Sequence, residues 1–284
     1  LIEEYNKYHN DSAACGDIDP SYPMLRYVCD RYELNIEQRY WLAFLYACCY
    51  CGPTVFYIYN EFPDFENVDL GRLNRWWNKN KKLCYFQKDR LRIQTMNLLS
   101  ETFESYRSLI YPINQAQKFS LLCSSDKIQT YKTAWAEMSK IKNFGRFSMF
   151  LYLEAVHVVT GFPMEPDNLD LSQASTCKDG LAYALRRDDL VGNPNSWRLL
   201  QPAFSKLMVH MKAQNKQNTV WNVETSLCAF KKYKEGRRYV GYYLDRQHDE
   251  IKILQSRVTS GVDWSVLWDF RRETFKKEFL KERS

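Results

Sequence analysis

The chain has 284 residues, of which 45% are hydrophobic and 15% aromatic, enough for a substantial core in one large domain or two intimate ones; its formal net charge is +6. It has no run of 18 apolar residues, so no membrane-spanning helix is predicted, and only ten Gly, nine Pro and few alternating runs argue for a mainly helical protein. Nine scattered Cys read as reduced, buried thiols of a cytosolic protein rather than a disulfide framework, and four distant His without a paired CxxC motif speak against zinc.

Charge is uneven along the chain. Residues 1–70 carry four basic and twelve acidic side chains, residues 72–92 eight basic and one acidic, and residues 231–284 fourteen basic and nine acidic. Two cationic segments among many aromatics suit an anionic polymer, although a solvated helical surface has the same composition. No secretory signal is read in the sequence, and because it begins at Leu1 without Met its start is read as cut or processed.

In chain order, Leu1 to Asp19 reads as a polar, loosely attached lead-in with helical character at its start. A turn and helix follow over Ser21–Tyr32. Asn35 and Gln38 form a capping-box pattern for a helix over Ile36–Cys51, apolar on nearly all sides and therefore central. Gly52-Pro53 breaks it, and Thr54–Tyr59 resumes as an apolar segment. An acidic linker precedes a helix from Asp69 to about Asn80. Lys79–Arg92 is the first cationic patch, in which Lys81, Lys82 and Arg90 lie among Tyr85 and Phe86. Aromatics there could stack on unpaired bases while cations neutralise phosphates, or simply be core residues with charged neighbours. Helices are expected over Met96–Tyr111 and from about Asp126 to Lys140.

A tight Asn143-Phe144-Gly145 turn then precedes an apolar helix over Phe147–Thr160, which Gly161 and Pro163 stop. Helix, Gly-containing hairpin, helix is one way to hold a DNA phosphate, since the amides and dipole at the second helix start favour an anion, and Arg146 stands there. An ordinary buried hairpin has the same pattern. Glu165, Asp167 and Asp170 form an acidic cluster beyond it. Ser172–Asp179 reads as a loop, Leu181–Arg187 as a short helix, Asp188–Ser196 as a loop and Gln214–Thr219 as a linker after a helix. A helix from about Val223 places Ser226, Phe230 and Tyr233 on one side. The cations Lys231, Lys232, Arg237 and Arg238 follow, then a segment over Tyr239–Gln247 whose Tyr-Tyr pair between arginines could clamp an anion; an amphipathic helix with surface ion pairs has the same pattern. The tail Asp263–Ser284 reads as helical.

Two resemblances follow from these residues. Ile141 to Asp170 resembles the helix-hairpin-helix and downstream acid of helical DNA glycosylases, which flip a nucleotide out of the duplex. The family's catalytic Asp implies Asp167 here, and Phe147 stands where its lyase branch has a nucleophilic Lys. The second resemblance spans most of the chain. RYWLAFLYACCYCGPT (Arg39–Thr54), NFGRFSMFLYLEA (Asn143–Ala155), CKDGLAYAL (Cys177–Leu185) and ETSLCAFKKYKEGRRYVGYYLDRQ (Glu224–Gln247) resemble the bacteriophage thymine-hypermodification proteins, the α-glutamyl/putrescinyl thymine pyrophosphorylase and amino acid:DNA transferase group. The chain is also similar to the helical part of phage 5-hydroxymethyluridine DNA kinases, but has no P-loop.

This resemblance implies a mainly α, glycosylase-like fold with a helix-hairpin-helix element. It implies one helical catalytic domain over 1–284, with two lobes at roughly 20–135 and 136–284 and a cleft between them. It further implies a monomeric transferase in the cytoplasm of the infected bacterial host. The enzyme would displace pyrophosphate from 5-(pyrophosphoryloxymethyl)uracil in DNA and attach glycine, glutamate or putrescine through the amine. Lys232, Arg237, Arg238 and Arg246 are the pyrophosphate candidates, and Asn143, Gly145, Arg146, Lys81, Lys82 and Arg90 the DNA candidates. Asp167, Glu154 and Glu224 are candidate bases, with Ser226, Thr225 or Cys228 contacting the base or serving as nucleophile. No cofactor is required, although Mg²⁺ could accompany pyrophosphate. A glycosylase acting on a modified pyrimidine and a non-catalytic DNA-binding module are the alternatives.

Overall fold

A computed structural model describes residues 2–280, which form α-helices and short 3₁₀ turns and no strand. In chain order the helices are α1 (Glu3–Cys15), α2 (Ser21–Arg31), α3 (Ile36–Cys49), α4 (Gly52–Glu61), α5 (Leu70–Asn80), α6 (Leu91–Thr95), α7 (Leu99–Ile110), α8 (Gln115–Leu122), α9 (Lys127–Met138) and α10 (Arg146–Thr160). They continue as α11 (Ser175–Ala184), α12 (Trp197–Gln214), α13 (Val220–Lys234), α14 (Tyr242–Arg257) and α15 (Ser265–Thr274). Two compact units are interleaved in sequence. One comprises the described parts of Leu1–Pro20, Glu165–Asp245 and Phe275–Ser284, here the terminal unit. The other comprises Ser21–Met164 and Arg246–Thr274, here the central unit.

The central unit is built on α3 and α10. The expected capping box forms: the Asn35 side chain accepts from the Gln38 amide and Gln38 returns to the Asn35 amide. Every α3 residue from Tyr40 to Cys49 is buried, as its all-round apolar pattern requires. Rings fill the space around it. Phe44 stacks on Tyr106 at 4.2 Å and Tyr40 on Phe119 at 4.6 Å. The buried tyrosine hydroxyls are satisfied in series, Tyr152 donating to Tyr106 and Tyr106 to Gln115. Gly52 and Pro53 do not end α3. Tyr50, left-handed at φ 50°, ends it, and Pro53 occupies the first turn of α4, where its missing N–H costs nothing.

The terminal unit is built on α11 and α13. At their crossing a Cβ on Gly180 would stand 2.1 Å from the Leu227 carbonyl oxygen, so only glycine allows this backbone approach. This explains two departures from expectation. Cys177, Lys178 and Asp179 are not in a loop but in α11, where all three are buried, because the helix begins at Ser175 and is drawn against α13. The N-terminal stretch is not a loose lead-in either. Helix α1 packs on α13, with the Tyr5 hydroxyl 2.7 Å from Ser226 Oγ and His9 Nδ1 2.9 Å from the same atom. The tail is helical only through Thr274 and in a 3₁₀ turn at Lys277–Phe279, and its residues 281–284 lie outside the described part.

Candidate functional site

In the central unit, α9 and α10 are joined by a short turn, as read from the sequence. The left-handed residue is Asn143, at φ 68°, whose side chain donates to Glu101 and Thr102. Asn is among the few residues that tolerate this conformation. Gly145 is extended, at φ −90° and ψ −177°, and is the N-cap of α10 without a side-chain cap bond. A Cβ there would meet nothing within 4 Å, so no contact within the protein demands glycine, and the surface beside the helix start stays open to close approach.

A cavity of about 180 Å³ lies at this helix start, lined among others by Arg90, Arg92, Asn143, Gly145, Phe147 and Ser148. Arg90 is 8% exposed, and its guanidinium lies 4.9 Å from the centre of the Phe147 ring. Such stacking holds the charge in a desolvated position where it acts strongly on an anion. Arg92, exposed on the rim, was not singled out from the sequence; its membership in the cationic run was the available signal. The cavity thus combines two guanidinium groups with the amides and positive dipole end of a helix of 15 residues. Arg146 lies over the Phe150 ring, Lys81 donates to Asn97, and Lys82 is exposed.

Glu154, on α10, is also in the central unit and buried. Arg246 belongs to this unit and not with Arg237 and Arg238. It pairs with the buried Glu250 at 3.2 Å and lies over the Tyr50 ring. Burial raises the Glu250 carboxyl, against the pull of Arg246 and of a bond from Gln87.

In the terminal unit the structure gathers Lys232, Arg237 and Arg238 at the C-terminal end of α13, where cations also suit the helix dipole. Partial burial and the nearby Arg237, Lys231 and Arg238 lower the Lys232 ammonium below its usual range. Lys231 instead pairs with Asp179 at 2.6 Å, and Arg237 pairs with Glu235. Arg238 lies over both Tyr242 and Tyr243.

The other candidates of this unit sit differently. Asp167 is exposed in the non-helical stretch after Met164. Glu224 is buried and accepts from the Cys228 thiol at 3.3 Å. A hydrogen bond with Cys177, burial and the Glu224 charge hold the Cys228 thiol well above its usual range, which keeps it protonated and a poor nucleophile. Ser226 is 1% exposed and tied to Tyr5 and His9, and Thr225 is bonded to Asp19 at 2.6 Å; both hydroxyls brace α13 from within. His9 continues to Asn218 at 3.0 Å, and burial lowers its imidazole below the usual range. The α13 residues gave no local sign of these partners, which lie more than 200 positions away in sequence. Among the described residues no group of three or more His, Cys, Asp or Glu could hold a metal ion, and no helix is long and apolar enough to cross a membrane.

The model of a family described as "Amino acid:DNA transferase" matches residues 13–239. Among curated proteins the chain is similar to "Serinyltransferase" of Salmonella phage ViI, at 26% identity over 278 residues, covering 88% of this chain. The chain spans 66% of that relative's length, just under two thirds. No solved structure matches the chain.

Proposed function

From the premise that this chain belongs to the amino acid:DNA transferase family, we propose that it modifies thymine in phage DNA by attaching an amino acid in exchange for pyrophosphate. The substrate is 5-(pyrophosphoryloxymethyl)uracil within DNA. The bond between the methylene carbon and the pyrophosphate oxygen breaks, and the oxygen keeps the electron pair. A bond from the amino-acid nitrogen to that carbon forms, and the nitrogen's proton passes to a carboxylate. The name of the phage relative makes serine the first amino acid to test, beside glycine, glutamate and putrescine.

The observation that carries the reading is the cavity at the start of α10. A departing pyrophosphate concentrates negative charge, and fixed donors in a water-poor site stabilise such charge without reorganising. Arg90 and the first α10 amides are donors of that kind, and Arg92 adds charge from the exposed rim. The cationic end of α13 supports a contact of its own, with pyrophosphate or with the DNA backbone. The base is drawn from Glu154, Glu224 and Asp167; the first two are shielded from water, as proton removal inside a closed site requires. Mg²⁺ bound to pyrophosphate would assist departure and is tested by titration. A helix-hairpin-helix grip on the DNA and flipping of the target base complete the proposal.

The test is incubation with DNA containing 5-(pyrophosphoryloxymethyl)deoxyuridine and each amine donor, followed by digestion to nucleosides and mass analysis. An amino-substituted thymidine with stoichiometric pyrophosphate release is the expected result. Free base with abasic sites would mark a glycosylase, and unchanged nucleosides with tight DNA binding would mark a binding module. Arg90→Ala should lower turnover about a hundredfold or more, the scale for losing one electrostatic donor to developing charge. A near-normal rate in a folded Arg90→Ala protein would remove the cavity from the reaction.

A further inference from the structure

The terminal unit contains a buried carboxylate that the proposed chemistry does not use. Gly16 ends α1 in the left-handed conformation, at φ 79°, and the Asp17 amide donates to the Ser12 carbonyl at 2.8 Å. The Asp17 side chain is thereby directed to the start of α14. One carboxylate oxygen accepts from the Gly241 amide at 2.8 Å; the other accepts from the Tyr243 amide at 2.7 Å and the Leu244 amide at 3.1 Å. Asp17 is 2% exposed. A local Ser, Thr or Asn at the helix start could satisfy amides of this kind without burying a charge. Here a carboxylate is brought from 224 positions away in sequence.

The backbone that Asp17 grips carries the rings under Arg238. The guanidinium lies 4.8 Å from the Tyr242 ring centre and 4.6 Å from that of Tyr243, and it donates to the Tyr243 hydroxyl. Asp17 and Arg238 also attract each other electrostatically. We propose that Asp17 is a positioning residue for anion binding: it fixes the Gly241–Leu244 backbone so that Tyr242 and Tyr243 hold the Arg238 guanidinium in one orientation toward a phosphate-bearing ligand. In naming that ligand as pyrophosphate, the inference rests on the function proposed above. Asp17 itself does not touch the ligand.

The groups facing Asp17 are Tyr8 and Cys15 of α1, Arg238, and the amides at the start of α14. Burial pushes the Asp17 carboxyl up to about 6, while the three amides and Arg238 pull it down. Its grip is therefore complete at neutral pH and is lost as the carboxyl takes a proton below that value.

The experiment measures calorimetric binding of inorganic pyrophosphate to the full chain from pH 5 to 8, for wild type, Asp17→Asn, Arg238→Ala and the double variant. At pH 7.5 Asp17→Asn should weaken binding about tenfold, and the double variant should bind no more weakly than Arg238→Ala alone. The ratio of wild-type to Asp17→Asn affinity should fall toward one below pH 6, because the wild-type carboxyl is then protonated too. The titration of pyrophosphate cancels in that ratio. A pH-independent ratio, or additive single effects, overturns the proposal. If Asp17→Asn fails to fold, the wild-type to Arg238→Ala ratio carries the test, since it must shrink over the same pH range, and a constant ratio overturns the proposal. Pyrophosphate binding that responds to Arg238→Ala but not to Asp17→Asn rejects the role of Asp17 alone. Binding indifferent to Arg238→Ala rejects the anion-site reading itself.

Discussion

In the central unit the Phe44 ring lies 4.2 Å from Tyr106, and its neighbours include Trp41, Phe144 and Tyr152. In the terminal unit the corresponding space between α1 and α13 holds the Ser226 hydroxyl, the His9 imidazole and the Asn218 amide, each hydrogen-bonded to the next. The two interiors respond to different perturbations. Aromatic burial depends on volume and is insensitive to pH. A buried polar network depends on every member being satisfied and on its protonation state.

The largest effect that could break this comparison is loss of a ring. Phe44→Ala should cost about 3–5 kcal/mol in urea unfolding, the range for a truncated core aromatic. A loss below about 1 kcal/mol would mean that the ring cluster does not organise the central unit. Next is Gly180→Ala, where the added methyl meets the Leu227 backbone rather than a movable side chain. Overpacking of this kind should cost about 1–3 kcal/mol, read from the same denaturation midpoints.

A smaller effect sharpens the comparison through pH. His9 is held neutral by burial, so its folded value lies below the ordinary 6.5 and the unfolded chain binds the extra proton. Its stabilisation is complete above pH 6.5 and is lost as pH falls through the folded value. Asp17 has the opposite sign: its raised value gives stability that is present at acid pH and lost as pH rises through about 6. The two windows overlap, so the observable is the difference in melting temperature between wild type and His9→Gln. That difference should shrink on acidification below pH 6.5; a difference that grows would contradict the buried neutral imidazole.

Asn35→Ala, which removes one half of the α3 capping box, should cost about 1 kcal/mol in thermal unfolding at any pH from 6 to 8. Smallest of all, Glu165→Ala breaks an exposed pair with Lys212 and should change stability by less than about 0.5 kcal/mol. A larger loss there would show that surface charge contributes more to the terminal unit than its buried network.

Much of the central unit was legible because its determinants are local. Asn35 and Gln38 are three residues apart, the all-apolar face of α3 is continuous, and Gly161 is left-handed at the end of α10, where the sequence placed a stop. The turn before α10 was located correctly, but which of its residues takes positive φ was not read from the sequence, since Asn and Gly both tolerate that conformation. The candidate site was only partly legible. The cationic runs identified Arg90 and Arg238, but not the ring under Arg90, because Phe147 is 57 positions away; the Tyr-Tyr pair near Arg238 was noted, but not that the guanidinium lies over both rings.

The sequence by itself determined the helical class, the cap that opens α3 and the turn and stop that bound α10, the two cationic segments and the resemblance that led to the family. These are properties of neighbouring residues and of composition. Only the tertiary structure decided that the polar start of the chain is part of an interior, and that Arg246 lies over the Tyr50 ring. Only it decided that Gly180 must lack a side chain and that Asp17 closes the start of α14. Each of these depends on which distant segment the chain returns to. A buried charge or a missing methyl is tolerated only because of what arrives beside it, and that partner is chosen by the packing of whole helices.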